Sequence, residues 1–195
     1  KLRQKSVIEN LKGYILWERK RRDSGSGDPL PLLSPVSINL DLTSACNFRC
    51  PHCVDSGIIN TGEALALDNI RQSIDTLADK GLLSVILIGG GEPTVHPDFE
   101  EIVRYCRSRG LQVGIVTNGS RLERVAAVAG LLQEGDWLRL SIDAAREDTF
   151  YKSHLPGKKV TLIKILTDAR QIKQSNPKIS LGYSYVIVWE GIFMK

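Results

Sequence analysis

From residue 36 onward, apolar runs of strand length alternate with amphipathic stretches of helix length, and this alternation constrains the fold more than any other feature. Residues 36–42 alternate apolar and polar and are predicted as a first strand. Ile70, Ile74, Leu77 and Ala78 then recur at helical spacing and stop at Lys80-Gly81, a cation followed by a glycine, as at a helix C-terminus. Residues 83–88 are almost continuously apolar, the pattern of a strand covered on both faces. Pro97 opens a second helix with Phe99, Ile102, Val103 and Cys106 on one side, ending at Arg109-Gly110. Residues 111–117 are the next strand, and Ser120-Arg121-Leu122-Glu123 is a capping-box sequence that starts a helix through about Leu132. Strands over 137–142 and 179–188, with a helix over 160–174 between them, complete the series. Strands separated by helices imply βαβ units, a parallel sheet and right-handed crossovers, hence an α/β fold. Five strands do not close a barrel, so the core over 36–195 reads as C-terminally incomplete; a chain that starts at Lys1 and carries its one methionine at Met194 reads the same way.

Ahead of the core, residues 1–22 read as a basic amphipathic helix with Val7, Ile8, Leu11, Ile15 and Leu16 roughly on one face. Its Arg19-Lys20-Arg21-Arg22 run reads as a solvated end whose cations complement the helix dipole. Residues 23–35 form a linker, Gly- and Ser-rich first and then extended by Pro29, Pro31 and Pro35. An apolar share of 42% and a charged share of 25% exclude a disordered tail, a coiled coil and a small disulfide scaffold. The net charge of +4 is too small to argue for nucleic acid, and no apolar run approaches the roughly 20 residues of a membrane span.

Three of the four cysteines fall in Cys46-Asn47-Phe48-Arg49-Cys50-Pro51-His52-Cys53, spaced C-x3-C-x2-C, directly after the first strand. Such crowding suits no disulfide framework and points to a metal in a reducing, cytoplasmic compartment. The loop at the C-terminal end of a strand is where parallel α/β folds build their sites. Three thiolates suit soft metal, either zinc or an iron–sulfur cluster. Zinc completed by His52 and ordinary buried thiols stay open on spacing alone, although a structural zinc site wants a second ligand pair that the chain lacks. A four-iron cluster on three cysteines leaves one iron free to be chelated by a substrate or cofactor. The fourth cysteine, Cys106, lies on an apolar helical stripe and reads as a buried thiol.

A second motif, Gly89-Gly90-Gly91-Glu92-Pro93-Thr94, ends the second strand. Consecutive glycines there let backbone approach a ligand closely and expose N–H groups. It is neither a Walker loop nor a dinucleotide fingerprint. Thr117-Asn118-Gly119 closes the third strand and Ser141-Ile142-Asp143 the fourth, so small polar groups end otherwise apolar strands.

Together the cysteine motif and the Gly-Gly-Glu-Pro element resemble those of the radical S-adenosylmethionine (radical SAM) enzymes, over roughly residues 36–188. The resemblance implies a parallel βα partial TIM-type barrel, with five of the usual six βα units visible behind the N-terminal helix. It implies that Cys46, Cys50 and Cys53 ligate a 4Fe–4S cluster whose fourth iron is chelated by S-adenosylmethionine (SAM). It places His52 against the adenine, the backbone at Gly90 and Gly91 by the methionyl ammonium, and Glu92 as the residue that holds this region. Ser141 and Asp143 fall in its ribose or methionine region, and Thr117 and Asn118 look towards substrate or SAM. His96 reads as structural. Where many members carry an arginine after the helix that follows the fourth strand, this chain has His154, with Lys152 nearby, so no carboxylate-binding arginine is carried over. Tyr183, Ser184 and Tyr185 alternate faces on the fifth strand, so one or two of them could line the pocket.

The implied activity is reductive cleavage of SAM to a 5′-deoxyadenosyl radical that abstracts hydrogen from substrate. It needs an external one-electron donor of flavodoxin or ferredoxin type. The stretch from Gly89 to Phe99 is most similar to the branch that includes peptide-modifying and molybdopterin-precursor enzymes, which favours a peptide or natural-product precursor as substrate. A non-enzymatic metal or electron-transfer module using the same three thiolates is the alternative.

Overall fold

Leu40, Leu87, Ile115, Leu138 and Leu181 stand in register across five hydrogen-bonded strands. This apolar row lines the sheet face that the helices cover, and Leu87, Ile115 and Leu138 are fully buried in the core. The computed structural model describes residues 5–24, 35–157 and 159–186. Among them the strands are β1 (Ser37–Leu40), β2 (Ser84–Leu87), β3 (Gln112–Thr117), β4 (Trp137–Ser141) and β5 (Ser180–Ser184). Every pairing is parallel and the strand order is β1-β2-β3-β4-β5.

The helices are α1 (Lys5–Ser24), α2 (Leu67–Ala78), α3 (Phe99–Ser108), α4 (Leu122–Ala129), α5 (Glu147–His154) and α6 (Leu162–Ser175). Each strand is followed by at least one helix before its neighbour, the α/β arrangement with sequential parallel strands that builds a βα barrel wall. The helices α2, α3, α4 and α6 bury one stripe each. Ile70 and Ile74, then Ile102, Val103 and Cys106, Val125 and Val128, and Ile165, Ala169 and Ile172 all join one core. Helical spacing of these residues is what the alternation in the sequence predicted.

Three local details differ from expectation. The strands are shorter than the apolar runs, because only paired residues form the ladder. The capping box at Ser120 does not form: α4 begins one residue later, with Arg121 at its N-cap and no side-chain cap bond. The Ser120 hydroxyl instead accepts from Asn47 Nδ2 at 2.7 Å, a tertiary bond to the cysteine loop. Finally α5 is followed by α6 before β5, and the two helices are joined by Glu147, whose carboxylate accepts from the Leu162 amide at the start of α6.

The N-terminal helix extends to Ser24, two residues past the expected end at 22. Ile8, Leu11, Tyr14, Ile15 and Leu16 on it are exposed. The side chain of Val7, linker residues 25–34, the last residues of the expected fifth strand (187–188) and the stretch through Met194 lie outside the described residues. No described helix is long and apolar enough to cross a membrane.

Candidate functional site

The cysteine loop leaves β1 and is fastened at both ends. At its start, Thr43 pairs with Ala64 across an antiparallel bridge, and Ser44 exchanges bonds with Glu63. On the far side, Asn60 takes a left-handed backbone (φ 60°), accepts the Cys46 amide on Oδ1 at 2.9 Å and donates its own amide to Ser44. Phe48 is buried in the core as an anchor between Cys46 and Cys50. Cys46, Cys50 and Cys53 are therefore free thiols, partly exposed, on a loop whose ends cannot drift.

The Gly-rich motif at the end of β2 forms the wall beside this loop. The Gly91 amide donates to Thr43 O at 2.6 Å and the Glu92 amide to Ala45 O at 2.9 Å. Gly91 has to be glycine, since a Cβ there would stand 2.1 Å from the Ala45 oxygen. Gly90 sits at φ 65°, where an L side chain is strained. The Gly91 and Glu92 N–H groups are thus consumed inside the protein, which narrows the exposed-amide reading of the glycine run to Gly89 and Gly90. Beside Gly90 a recess of ≈ 260 Å³ opens between the end of β1 and residues 58–65. No cysteine lines it, so it flanks the thiols rather than enclosing them.

Glu92 is a knot. Only 3% exposed, it accepts on Oε1 from the Thr94 amide and hydroxyl and from the Thr117 hydroxyl, and on Oε2 from the Asn118 amide at 2.7 Å. Burial pushes its pKa above the ordinary carboxylate value, while these donors pull the other way. The Thr117 side chain is turned to Glu92 and is 2% exposed. Asn118 reaches the other way: its Nδ2 donates to Asn47 Oδ1 at 2.9 Å, tying the end of β3 to the cysteine loop.

At the end of β4, Asp143 takes a left-handed backbone conformation (φ 48°), which asparagine and aspartate tolerate better than most residues. That turn sets its carboxylate 3.3 Å from His52 Nε2 and 3.6 Å from His154 Nε2, and Oδ1 accepts the Val186 amide at 2.8 Å. Ser141 lies on the sheet face opposite the helices and meets Ser184 Oγ at 3.4 Å. Tyr183 and Tyr185 are half exposed.

His154 closes α5 over the loop and was the residue whose role was least legible in sequence. It is 2% exposed and packed against Phe48 and Phe150. Its Nε2 lies 2.7 Å from the Ile142 carbonyl and so carries the hydrogen, leaving Nδ1 as acceptor 3.1 Å from Cys50 Sγ. Burial, with the neighbouring Cys46 and Cys53, pushes the Cys50 thiol up to about 12. Burial lowers the His154 pKa. Its carbonyl also accepts the Arg49 amide.

His96 and Cys106 have no part in this cluster. The first spans Leu65 O and the Asp98 amide as a buried brace, and the second is a fully buried thiol.

Among the described residues no three His, Cys, Asp or Glu groups converge as they would around a single ion. Three free, partly exposed thiols on one pinned loop are a soft donor set of the kind that can hold an iron–sulfur cluster.

The Radical SAM superfamily model matches residues 40–183, from the last residue of β1 to Tyr183 in β5, which takes in the cysteine loop, the glycine knot and β2, β3 and β4. The chain belongs to the Radical SAM superfamily. Within it, the chain is 34% identical over 113 residues to the S-adenosylmethionine-dependent nucleotide dehydratase of Selenomonas ruminantium, covering 57% of this chain and 40% of that protein. It is 33% identical over 117 residues to the mycofactocin maturase MftC of Mycolicibacterium smegmatis, covering 59% and 29%. The Radical SAM fold is seen again in SuiB of Streptococcus suis, solved with its precursor peptide SuiA. That structure aligns with a TM-score of 0.67 at 16% identity, over 93% of this chain and 38% of SuiB. The matched region thus spans less than half the length of these relatives.

Proposed function

We propose that this chain carries the cofactor core of a radical SAM enzyme that acts on a peptide or natural-product precursor. The observation that carries the reading is the joint between motifs. The Gly91 and Glu92 amides grip the carbonyls of Thr43 and Ala45, so the glycine knot and the three-cysteine loop form one rigid unit. A cofactor spanning both would meet a preorganised surface.

In this reading Cys46, Cys50 and Cys53 hold a 4Fe–4S cluster, and SAM lies from Gly90 and Gly91 across to Ser141 and Asp143. When bound, the pair supplies reductive cleavage of SAM to a 5′-deoxyadenosyl radical that takes hydrogen from substrate. The chain's own residues position and shield. Glu92 fixes the ends of β2 and β3, with Thr117 acting through it. Asn118 and Asn47 hold the loop to β3. Asp143 orients the His52 ring, which is set to pack on the adenine. His154, Phe48 and Phe150 keep water from the inner side of Cys50.

The core begins at residue 36, behind an N-terminal helix and a connector. The chemistry calls for an external one-electron donor of flavodoxin or ferredoxin type and a reducing cytoplasmic setting. The likeness to SuiB, solved with a precursor peptide, supports a peptide substrate. Incubating the anaerobically reconstituted chain with SAM and dithionite tests the reading: 5′-deoxyadenosine should form, and its absence from a preparation with a full iron complement would defeat it.

A further inference from the structure

The sheet face opposite the helices carries one cation that nothing described in the molecule neutralises. Along β4, Leu138 and Leu140 are fully buried against the helices, so Trp137, Arg139 and Ser141 point to the other face. In register beside Arg139 stand Val116 on β3 and Gly182 on β5, neither of which offers an acceptor side chain. The next positions on that face are Gly114, Ser180 and Ser184, again without a carboxylate. Arg139 Nε is buried with no hydrogen-bond partner among the described residues. The contact that holds the guanidinium is the Trp137 ring, with Cζ 5.9 Å from its centroid. That indole packs against Gly114, where a Cβ would come within 2.3 Å of it, so the ring occupies space that only glycine leaves open. Beside Arg139, a Cβ on Gly182 would meet nothing within 4 Å.

A part-buried guanidinium costs desolvation unless a partner offsets it, and a stacked fork beside open space is a preorganised receptor for a planar or tetrahedral oxyanion. Ser141, on the same face, lies two residues further along β4, about 7 Å away. We propose that Arg139 is the anion-recognition residue of the substrate site, receiving a carboxylate or phosphate of the substrate beneath the cofactor end of β4. The inference rests on the radical SAM reading for the word substrate, and on the geometry alone for the anion.

The test uses the full chain, iron-free and reconstituted, titrated with inorganic phosphate in one arm and glutarate in the other. The readout is the Arg139 Nε–Hε NMR signal, assigned by its loss in Arg139→Gln. Saturable shifts in either arm are expected. Phosphate alone identifies a phosphorylated substrate group, and glutarate alone a carboxylate. Arg139→Gln should weaken binding, followed by tryptophan fluorescence, by about tenfold or more. Arg139→Met, which keeps the packing on Trp137, should do the same while its circular dichroism matches the parent. No saturable shift with either anion, or equal affinity in Arg139→Met, overturns the proposal. Iron content measured on the same reconstituted samples reads the cluster assignment separately, because the titration of the iron-free chain does not depend on it.

Discussion

His154 Nδ1 lies 3.1 Å from Cys50 Sγ while the other ring nitrogen is held by the Ile142 carbonyl, so one buried imidazole ties the middle cysteine of the loop to the end of β4. Loop and sheet are thereby joined at a point remote from the Gly91–Thr43 contact, and the three thiols are fixed from two sides. Replacing His154 with alanine would open a cavity against Phe48 and Phe150 and leave a buried carbonyl without its donor. The expected cost is about 2–4 kcal/mol in urea denaturation. A loss under about 0.5 kcal/mol would show that the loop is held without it.

Gly91→Ala tests the other fastening. With the Ala45 oxygen 2.1 Å from the new Cβ, either the loop or the knot must move. The variant should lose about 2–3 kcal/mol of stability and most of its iron uptake. Gly130→Ala, at a position where a Cβ meets nothing within 4 Å, is the control and should change neither.

Glu92 should give a pH signature. Burial raises its pKa above the ordinary 4.5, so the folded chain holds that proton more tightly than the unfolded one. Stability then falls as pH rises from about 4.5 through the raised value and levels off beyond it. Glu92→Gln has no such fall. It is less stable by about 2 kcal/mol at the acid end, because its amide cannot accept from the Asn118 N–H, and the gap narrows as pH rises. Urea midpoints of both proteins across that range check it, and a gap independent of pH would contradict it.

Arg124 should show the opposite slope. It donates to the carbonyls of Thr94, His96 and Pro97 and to Glu100, bracing the turn that follows the knot. Its hydrogen bond depresses the Glu100 pKa, so this pair's contribution is complete above 4.5 and is lost as pH falls through the lowered value. Thermal midpoints of the parent and Arg124→Gln should differ most near neutrality, and in acid the difference should shrink to the pH-independent share carried by the three carbonyl contacts.

The succession of apolar runs made the order of strands and helices legible, since Leu40, Ile115, Leu138 and Leu181 sit on period-2 runs and Leu87 on a nearly continuous apolar one, each facing a period-3.6 stripe. The cysteine spacing and the glycine run likewise marked their loops. What sequence did not disclose was how polar side chains are spent between elements far apart in the chain. Ser120 has the sequence of a helix cap but is claimed by Asn47, 73 residues away, and a local pattern cannot register that competition. His154 looked like a replaced arginine, yet its contacts to Cys50 and Ile142 depend on how α5 packs. Arg139 carried a signal that was there to be read, a cation at mid-strand in an otherwise apolar and small-residue run. Its isolation became visible only once Val116 and Gly182 were known to flank it.

The central claim is that Cys46, Cys50 and Cys53 hold a four-iron cluster with one iron open to SAM. Electron paramagnetic resonance of the anaerobically reconstituted and reduced chain tests it most directly. The account predicts a reduced 4Fe–4S signal that changes on adding SAM, is lost in Cys50→Ala and persists in Cys106→Ala. Zinc at unit stoichiometry with no iron uptake, or a cluster signal indifferent to SAM, would contradict it.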